Sequence, residues 1–238
     1  MLLKRCLEMR AAIVIGFVFL LQSCTTSVVV EGSLPTPLVE KIPARVGIYY
    51  SDDFRHFQHE ETIRDSGSWN INLGQQNMMF FKRLMSSLFE EVVEIDAPPE
   101  TSESMLDFDG IVIPEIEKFG FLTPNVSGLK FYSASIEYRI VMFDRTGDKV
   151  GDWNIVGYGK SEGGLFSADD AINESTVLAI RDGGARIAIE LIDQPAVREW
   201  IDRIGPIESV FPEPEGTGRE PGDITDQTRN SNEEPVDA

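Results

Sequence analysis

FYSASIEYRIVMF at residues 131–143 and KVGDWNIVGYG at residues 149–159 decide the fold of this chain. Apolar side chains recur at every second position along both arms, the period at which one face of a strand is buried. The polar segment between the arms contains Gly147, which tolerates the positive φ that tight turns need. We therefore predict a β-hairpin with one face toward a core. The predicted core positions are Ala134, Ile136, Tyr138, Ile140, Met142, Trp153, Ile155 and Gly157.

Upstream of the hairpin, four segments have the β-branched and aromatic character of strands. They are Ala44–Tyr50, Trp69–Leu73, Val92–Ile95 and Gly110–Phe121, the last interrupted by Pro114, which favours an edge or a bulge. Between them, residues 74–92 repeat apolar side chains at helical spacing, which predicts a helix with one broad apolar face. That face comprises Met78, Met79, Phe81, Leu84, Met85, Leu88, Phe89 and Val92.

Downstream of the hairpin, the sequence predicts two helices. The first covers about Ser167 to Leu191, with Ser167 as its N-cap and acidic residues in its first turn. Gly183 and Gly184 in its middle predict a kink or close packing. The second covers Pro195–Ile204. This order of elements predicts an α+β two-layer sandwich, in which a mostly antiparallel sheet carries helices on one face.

The two ends of the chain differ in composition from this predicted domain, residues 44–205. Residues 24–43 are polar, contain three prolines and show no period, which predicts a tether. Residues 206–238 hold nine acidic residues, two arginines and few apolar side chains. We predict that this acidic tail is disordered, because it cannot bury enough surface to offset its ordering entropy.

The first 23 residues predict a secretory signal. Lys4 and Arg5 precede the apolar run Ala11–Leu21, which is too short to span a bilayer comfortably. Leu21-Gln22-Ser23-Cys24 resembles the lipobox of bacterial lipoproteins. The resemblance implies cleavage before Cys24, a diacylglyceryl thioether (with palmitate-type chains) on its sulfur, and acylation of the new amino group. An ordinary signal peptide with a chance cysteine and a retained transmembrane anchor are the alternatives.

The same resemblance implies a location. Thr25 follows the cysteine, whereas an Asp at this position resembles an inner-membrane retention signal. We therefore expect a lipid anchor in the outer membrane, on its periplasmic face.

Composition and the scarcity of reactive side chains argue against several functions. The net charge of −19 would repel phosphate backbones, so we expect no nucleic-acid partner. The only cysteines are Cys6 and Cys24, and the only histidines are His56 and His59, three residues apart. We therefore predict no catalytic set, no metal site and no cofactor, although a histidine pair on a helix would offer a metal two ligands.

Two apolar groups are the predicted partner or ligand surface. Met78, Met79, Phe81 and Met85 form a soft cluster on the first helix, of the kind that adapts to varied partners or acyl chains. Around the loop at residues 123–128, apolar side chains flank polar ones, and an exposed apolar loop marks a contact site. These loop residues are Phe121, Leu122, Val126 and Leu129. The alternative for both groups is that they fill the core.

Over roughly residues 45–203 the chain resembles uncharacterised Gram-negative (proteobacterial) envelope lipoproteins. The segments that carry the resemblance are Val46–Ser51, Leu84–Val93, Tyr138–Ile140 and Asp152–Gly159. The layout is also similar to that of the lipopolysaccharide-assembly lipoprotein. The resemblance implies a non-enzymatic accessory lipoprotein that binds a protein of an envelope assembly or transport system. A carrier or sensor of an apolar or glycolipid ligand is the alternative.

Overall fold

The computed structural model describes residues 25–64, 66–97, 107–162 and 167–205. The strands are β1 (Thr25–Val29), β2 (Ile42–Tyr49), β3 (Gln58–Ile63), β4 (Gly67–Asn72), β5 (Phe89–Ile95), β6 (Gly110–Leu122), β7 (Phe131–Asp144) and β8 (Lys149–Glu162). The helices are α1 (Asp52–Arg55), α2 (Gly74–Leu88), α3 (Pro124–Ser127), α4 (Ala168–Asp193) and α5 (Pro195–Ile204). The predicted hairpin is confirmed as β7 and β8, with Gly147 at φ 88° in the turn.

The strands form two mixed sheets, so the fold is α+β as predicted. The larger sheet has the order β5-β2-β6-β7-β8, and the smaller has the order β1-β4-β3. β2 is parallel to both of its neighbours, and β1 is parallel to β4. The prediction of a mostly antiparallel sheet is therefore wrong. The physical reason is that α2 is a crossover connection, after which β5 runs parallel to β2.

α2 and α4 pack on one face of the larger sheet, here called its inner face. Tyr138 of β7 lies on this face, 5.1 Å from the ring of Phe81 on α2 and in contact range of Gly183 on α4. The predicted core positions of β7 are all buried. α2 ends four residues earlier than predicted, because Phe89 begins β5. Val92 and Val93 therefore extend a strand, as their β-branched side chains favour.

α4 approaches β8 so closely that two positions on the strand have room only for glycine. A Cβ on Gly157 or Gly159 would overlap backbone atoms of Ala179 or Ser175 in the helix. Gly183 belongs to the same tight contact, whereas Gly184 lies against the Phe80 ring of α2, so close packing is the reason for both glycines. The predicted cap is confirmed, since the Ser167 hydroxyl accepts a hydrogen bond from the Asp170 amide.

The prediction of a tether up to residue 43 is corrected by the structure. β1 pairs with β4, and the segment after it is fixed by two hydrogen bonds between the Glu31 backbone and the Asn173 side chain, 3.0 and 3.1 Å long. Val28, Val30 and Leu34 are buried in the core. The run TTSVVV is β-branched, and this local character decides the conformation more than the later prolines do. The folded region therefore includes Thr25–Val29 and the segment after it.

Several predictions lie outside the described residues: the signal segment 1–23, the lipidated Cys24 and the acidic tail 206–238. Within the described ranges, no helix combines the length and the apolarity needed to cross a membrane.

Candidate binding surfaces

The Met/Phe cluster on α2 belongs mostly to the core. Phe81 and Met85 are fully buried, and Phe81 packs against Phe54 at 5.3 Å and against Tyr138. Met78 is half-buried, and only Met79 is exposed. The prediction that Phe81 and Met85 form a binding surface is therefore wrong, because the inner face of the sheet lies directly opposite them.

The predicted loop surface is divided between core and solvent. Phe121 is buried, with its ring 5.5 Å from that of Trp69, so this residue is not part of a surface. Leu122, Val126 and Leu129 are 47%, 50% and 49% exposed. The structure therefore brings three of the eight predicted residues together on one accessible patch.

The loop that displays this patch has a fixed conformation. Pro124 begins α3, and Gly128 ends it at φ 70°, donating its amide to the Pro124 carbonyl. The Ser127 hydroxyl donates to the carbonyl of Thr123 at 3.1 Å. Thr123 is buried beside the turn between β3 and β4, where its hydroxyl lies 3.4 Å from that of Ser66. Val126 and Leu129 are thus held outward by an internally bonded turn.

Sequence reasoning missed the neighbours of this patch on the outer face of the sheet. Tyr158 is 64% exposed and lies diagonally across β7 from Leu122, since Ser133 pairs with Leu122 and Lys160, and Ser135 pairs with Tyr158. Phe131 is half-buried, with the Lys160 ammonium 4.1 Å above its ring. The period of 2 along the hairpin puts these residues opposite the core positions, and that signal could have found them. We call Leu122, Val126, Leu129, Phe131 and Tyr158 the end surface.

A second apolar site lies between the segment after β1 and α4. Leu38 is fully exposed and Ile189 is largely exposed. They border a groove of about 280 Å³ whose wall on the α4 side includes Ala185 and Ala188. We call this site the Leu38 groove. Sequence reasoning missed it because residues 24–43 were predicted to be a tether.

The two histidines have separate local roles. His56 caps α1, with its Nδ1 3.1 Å from the Asp52 carbonyl oxygen. His59 lies on β3, with its Nε2 3.1 Å from Glu61 and its ring 5.2 Å from that of Phe119. Over the described part of the chain, no three His, Cys, Asp or Glu side chains are grouped as a metal site.

The strongest electrostatic contacts are structural. On the outer face of the sheet, hydrogen bonds from Arg139 and Lys149 hold the pKa of the Asp152 carboxyl well below its usual range. Between β5 and α2, a hydrogen bond from Lys82 lowers the pKa of Glu94, which also accepts one from Arg55. Burial raises the pKa of Tyr138, whose hydroxyl donates to Asn77 Oδ1. These contacts join neighbouring elements and do not converge on one cavity.

Comparisons with known proteins give no close relative. No protein-family model matches the chain. No curated protein matches it. A solved structure from Xanthomonas campestris, of family DUF330, is 10% identical with a TM-score of 0.44, over 76% of this chain and 100% of that one.

Two further structures are described as lipoproteins. A minor lipoprotein from Acinetobacter baumannii is 10% identical with a TM-score of 0.34, over 68% of this chain and 96% of that one. A Caulobacter crescentus protein, provisionally described as a lipoprotein, is 11% identical with a TM-score of 0.29, over 40% of this chain and 67% of that one. At these scores the likenesses carry no argument about function.

Proposed function

We propose that this protein is a bacterial lipoprotein, acylated on Cys24 and held on the periplasmic face of the outer membrane. It acts there as a non-enzymatic accessory component that binds a protein of an envelope assembly or transport system. The observation that carries the proposal is the N-terminal sequence: basic residues Lys4 and Arg5, the apolar run Ala11–Leu21, and Cys24. Two or three acyl chains hold a protein stably in a bilayer, where one chain binds marginally.

The Leu38 groove supports the binding role. It is an open apolar site, bordered by exposed Leu38 and Ile189, of a size that accepts side chains of a partner protein. Along α4, Ile189 lies 16 residues from Asn173, which contacts the segment after β1. At 1.5 Å per residue Ile189 is therefore about 24 Å farther along the helix, and the groove extends along α4 from Arg181 to Ile189.

The carrier alternative has lost the observation that motivated it. The Met/Phe cluster of α2 was the candidate acyl-chain site, but Phe81 and Met85 are fully buried against the sheet and Phe54. Side chains occupy the space between α2 and β7, where an acyl chain would have to lie. We therefore favour protein binding over ligand transport.

Lipidation is tested by metabolic labelling with a fatty acid, followed by membrane fractionation. We expect label in the wild-type protein and none in Cys24→Ser. Cys6→Ser is the matched control, since it changes the other cysteine and leaves the lipobox-like segment intact, and it should retain the label. Equal labelling of Cys24→Ser and wild type would contradict the proposal.

The binding role is tested by photo-crosslinking in native membranes from a probe amino acid placed at Leu38 or Ile189. We expect one discrete, stoichiometric adduct from both positions. A probe at Asp148, which is exposed in the β7–β8 turn, is the control and should give no such adduct. Absence of adducts from Leu38 and Ile189, or the same adducts from all three positions, would count against a partner at the groove.

A further inference from the structure

Three features of the fold meet at one end of the molecule. Thr25, the first residue of β1, pairs with Ser68 at the start of β4, and Ser68 pairs with Thr62 near the end of β3. The turn between β3 and β4 lies at this same end. In this turn, the Ser66 hydroxyl accepts a hydrogen bond from the side-chain amide of Asn125 at 3.4 Å. The same hydroxyl lies beside that of Thr123. The start of the described chain and the loop that carries the end surface are thus neighbours.

The separation between Thr25 and the loop that carries the end surface is short. Paired residues on neighbouring strands are about 5 Å apart, and two residues of chain span about 7 Å at most. With the contact from Ser66 to Asn125, these steps place Thr25 within about 20 Å of the loop. Cys24 is one Cα step, about 3.8 Å, before Thr25. A lipid on Cys24 would therefore begin beside this end of the fold, with no linker between them.

Exposed apolar side chains are concentrated at this end. Among the described residues, nine large hydrophobic side chains are exposed, and four of them belong to the end surface: Leu122, Val126, Leu129 and Tyr158. Exposed apolar residues on a locked loop cost solvation free energy unless something covers them.

The charge of the segment that carries most of the end surface differs from that of the whole protein, although Glu174 and Asp182 of α4 contact Ser161 and Tyr158 of β8. Residues 118–136 contain no Asp or Glu, although the chain has 40 of them. The exposed charges beside the end surface on β8 and the loop are Lys130 and Lys160, with Glu162 at the end of β8. A surface with two lysines and an exposed tyrosine suits the headgroup layer of a phospholipid bilayer, where amphipathic side chains place a polar tip in water.

We infer that the end surface rests on the same bilayer that holds Cys24, with Val126 and Leu129 inserted into its interfacial layer. This inference rests on the proposed lipidation of Cys24. The headgroup layer is only roughly 5–8 Å thick on each side. The side chains of Val126 and Leu129, which project from the end of the fold, can therefore reach the boundary between the headgroups and the acyl chains. The lipid anchor keeps the loop beside the bilayer at a high effective concentration. Even a weak apolar contact between the loop and the bilayer is therefore formed most of the time. The domain therefore lies on the membrane in a fixed orientation.

The contact is tested on the mature lipidated protein, reconstituted into vesicles of phosphatidylethanolamine and phosphatidylglycerol. Nitroxide labels are attached at Val126→Cys or Leu129→Cys, and at Leu38→Cys or Ile189→Cys as matched exposed apolar controls. Lipidated Cys24 has no free thiol to react. We expect the ratio of oxygen to nickel-chelate collision rates, which reports depth in the bilayer, to be at least about threefold higher at 126 and 129 than at 38 and 189.

A second variant separates insertion from simple proximity. Val126→Asp, with the label at position 129, should lower the ratio to the control value, because a carboxylate is expelled from the apolar layer. The thermal midpoint should stay unchanged, since Val126 is half exposed. Ratios at 126 and 129 equal to those of the controls would overturn the inference. Burial of these labels in native membranes but not in vesicles would also overturn it, since a protein would then cover the end surface.

Flotation distinguishes two outcomes: a protein that is not lipidated on Cys24, and a lipidated protein whose end surface does not touch the bilayer. The collision measurements are made only on protein that floats with the vesicles. Protein that does not float, and whose Cys24 thiol reacts with the label, contradicts the proposed lipidation. Floating protein with water-accessible labels at 126 and 129 contradicts only the membrane contact.

Discussion

Two segments whose apolar side chains the sequence marks as candidates for a binding surface have opposite positions in this fold. Residues 78–85 on α2 are mainly core, whereas residues 122–129 present three exposed apolar side chains to solvent. α2 has about four turns of helix packed between the larger sheet, α1 and α4, so most of its apolar stripe is covered. α3 has a single turn at the end of the sheet, and Val126 and Leu129 project beyond it. Burial is decided by the element opposite a segment, and composition alone does not show it.

The largest expected effect is in the α2 core. Phe81→Ala should lower the free energy of unfolding by about 3–5 kcal/mol, because it leaves a cavity between Phe54 and Tyr138. Leu122→Ala is the matched substitution in the exposed segment and should cost less than about 1 kcal/mol. Urea unfolding of the detergent-solubilised mature protein, followed by tryptophan fluorescence, measures both. Similar losses for the two variants would refute the contrast between the segments.

A substitution in the contact of β8 with α4 should destabilise the fold nearly as much as Phe81→Ala. Gly159→Ala should destabilise the fold by about 2–3 kcal/mol, because its Cβ would overlap the Ser175 carbonyl oxygen and neither backbone can move freely. Gly120→Ala is the control on β6, where the nearest atom to the new Cβ would be Ser135 Oγ at 3.8 Å. The same unfolding experiment compares the two. A harmless Gly159→Ala would mean that the helix lies farther from the sheet.

The buried hydrogen bond between Tyr138 and Asn77 should contribute less to the free energy of unfolding than the two packing contacts above. Tyr138→Phe removes the donor to Asn77 Oδ1 and leaves that buried oxygen without its partner, so we expect a loss of about 1–3 kcal/mol. The Asn77 amide should keep its 3.0 Å hydrogen bond to the Leu73 carbonyl. Thermal unfolding of Tyr138→Phe, with Tyr158→Phe as the exposed control, measures the difference. Equal midpoints would show that the buried hydrogen bond is not formed.

A smaller, pH-dependent effect is expected at Asp152. Arg139 and Lys149 lower the pKa of this carboxyl in the folded state, so its contribution to stability is present above the unfolded aspartate value of about 3.9. This contribution should be lost as the pH falls through and below that value. The thermal midpoint of wild type minus that of Asp152→Asn, measured from pH 7 to pH 2, should shrink as the pH falls. A difference that grows toward acid would reverse the assigned sign.

The smallest effect on stability is expected at the loop. The double variant Val126→Ser with Leu129→Ser should change the free energy of unfolding by less than about 0.5 kcal/mol, because both side chains already meet water. In lipid vesicles the same variant should show increased cleavage of the loop by protease, since the membrane no longer shields it. A loss above about 1 kcal/mol in detergent would place these residues in the core.

Local patterns were sufficient to predict the hairpin, α4 with its Ser167 cap and α5. Ser167 caps α4 as its position before Asp169 and Asp170 indicated. Trp200 of α5 is buried, and its indole donates to the Asp109 carbonyl at 3.1 Å. In each case, the signal lies within one element: period 2, period 3.6, or a capping residue.

Features that depend on distant partners could not be predicted. β1 pairs with β4, about 43 residues away, and β5 pairs in parallel with β2 after the α2 crossover. No local pattern encodes such pairing. The eight predicted surface residues were divided for the same reason: Phe81, Met85 and Phe121 face elements that only the fold brings opposite them. Leu122, Val126 and Leu129 lie where the sheet ends.

The most direct test of the account is mass spectrometry of the N-terminal peptide of the protein purified from native membranes. The account predicts a peptide that begins at Cys24 and carries a diacylglyceryl group, with acylation of its amino group. A peptide that begins at Met1, or one that begins elsewhere with an unmodified cysteine, would contradict it.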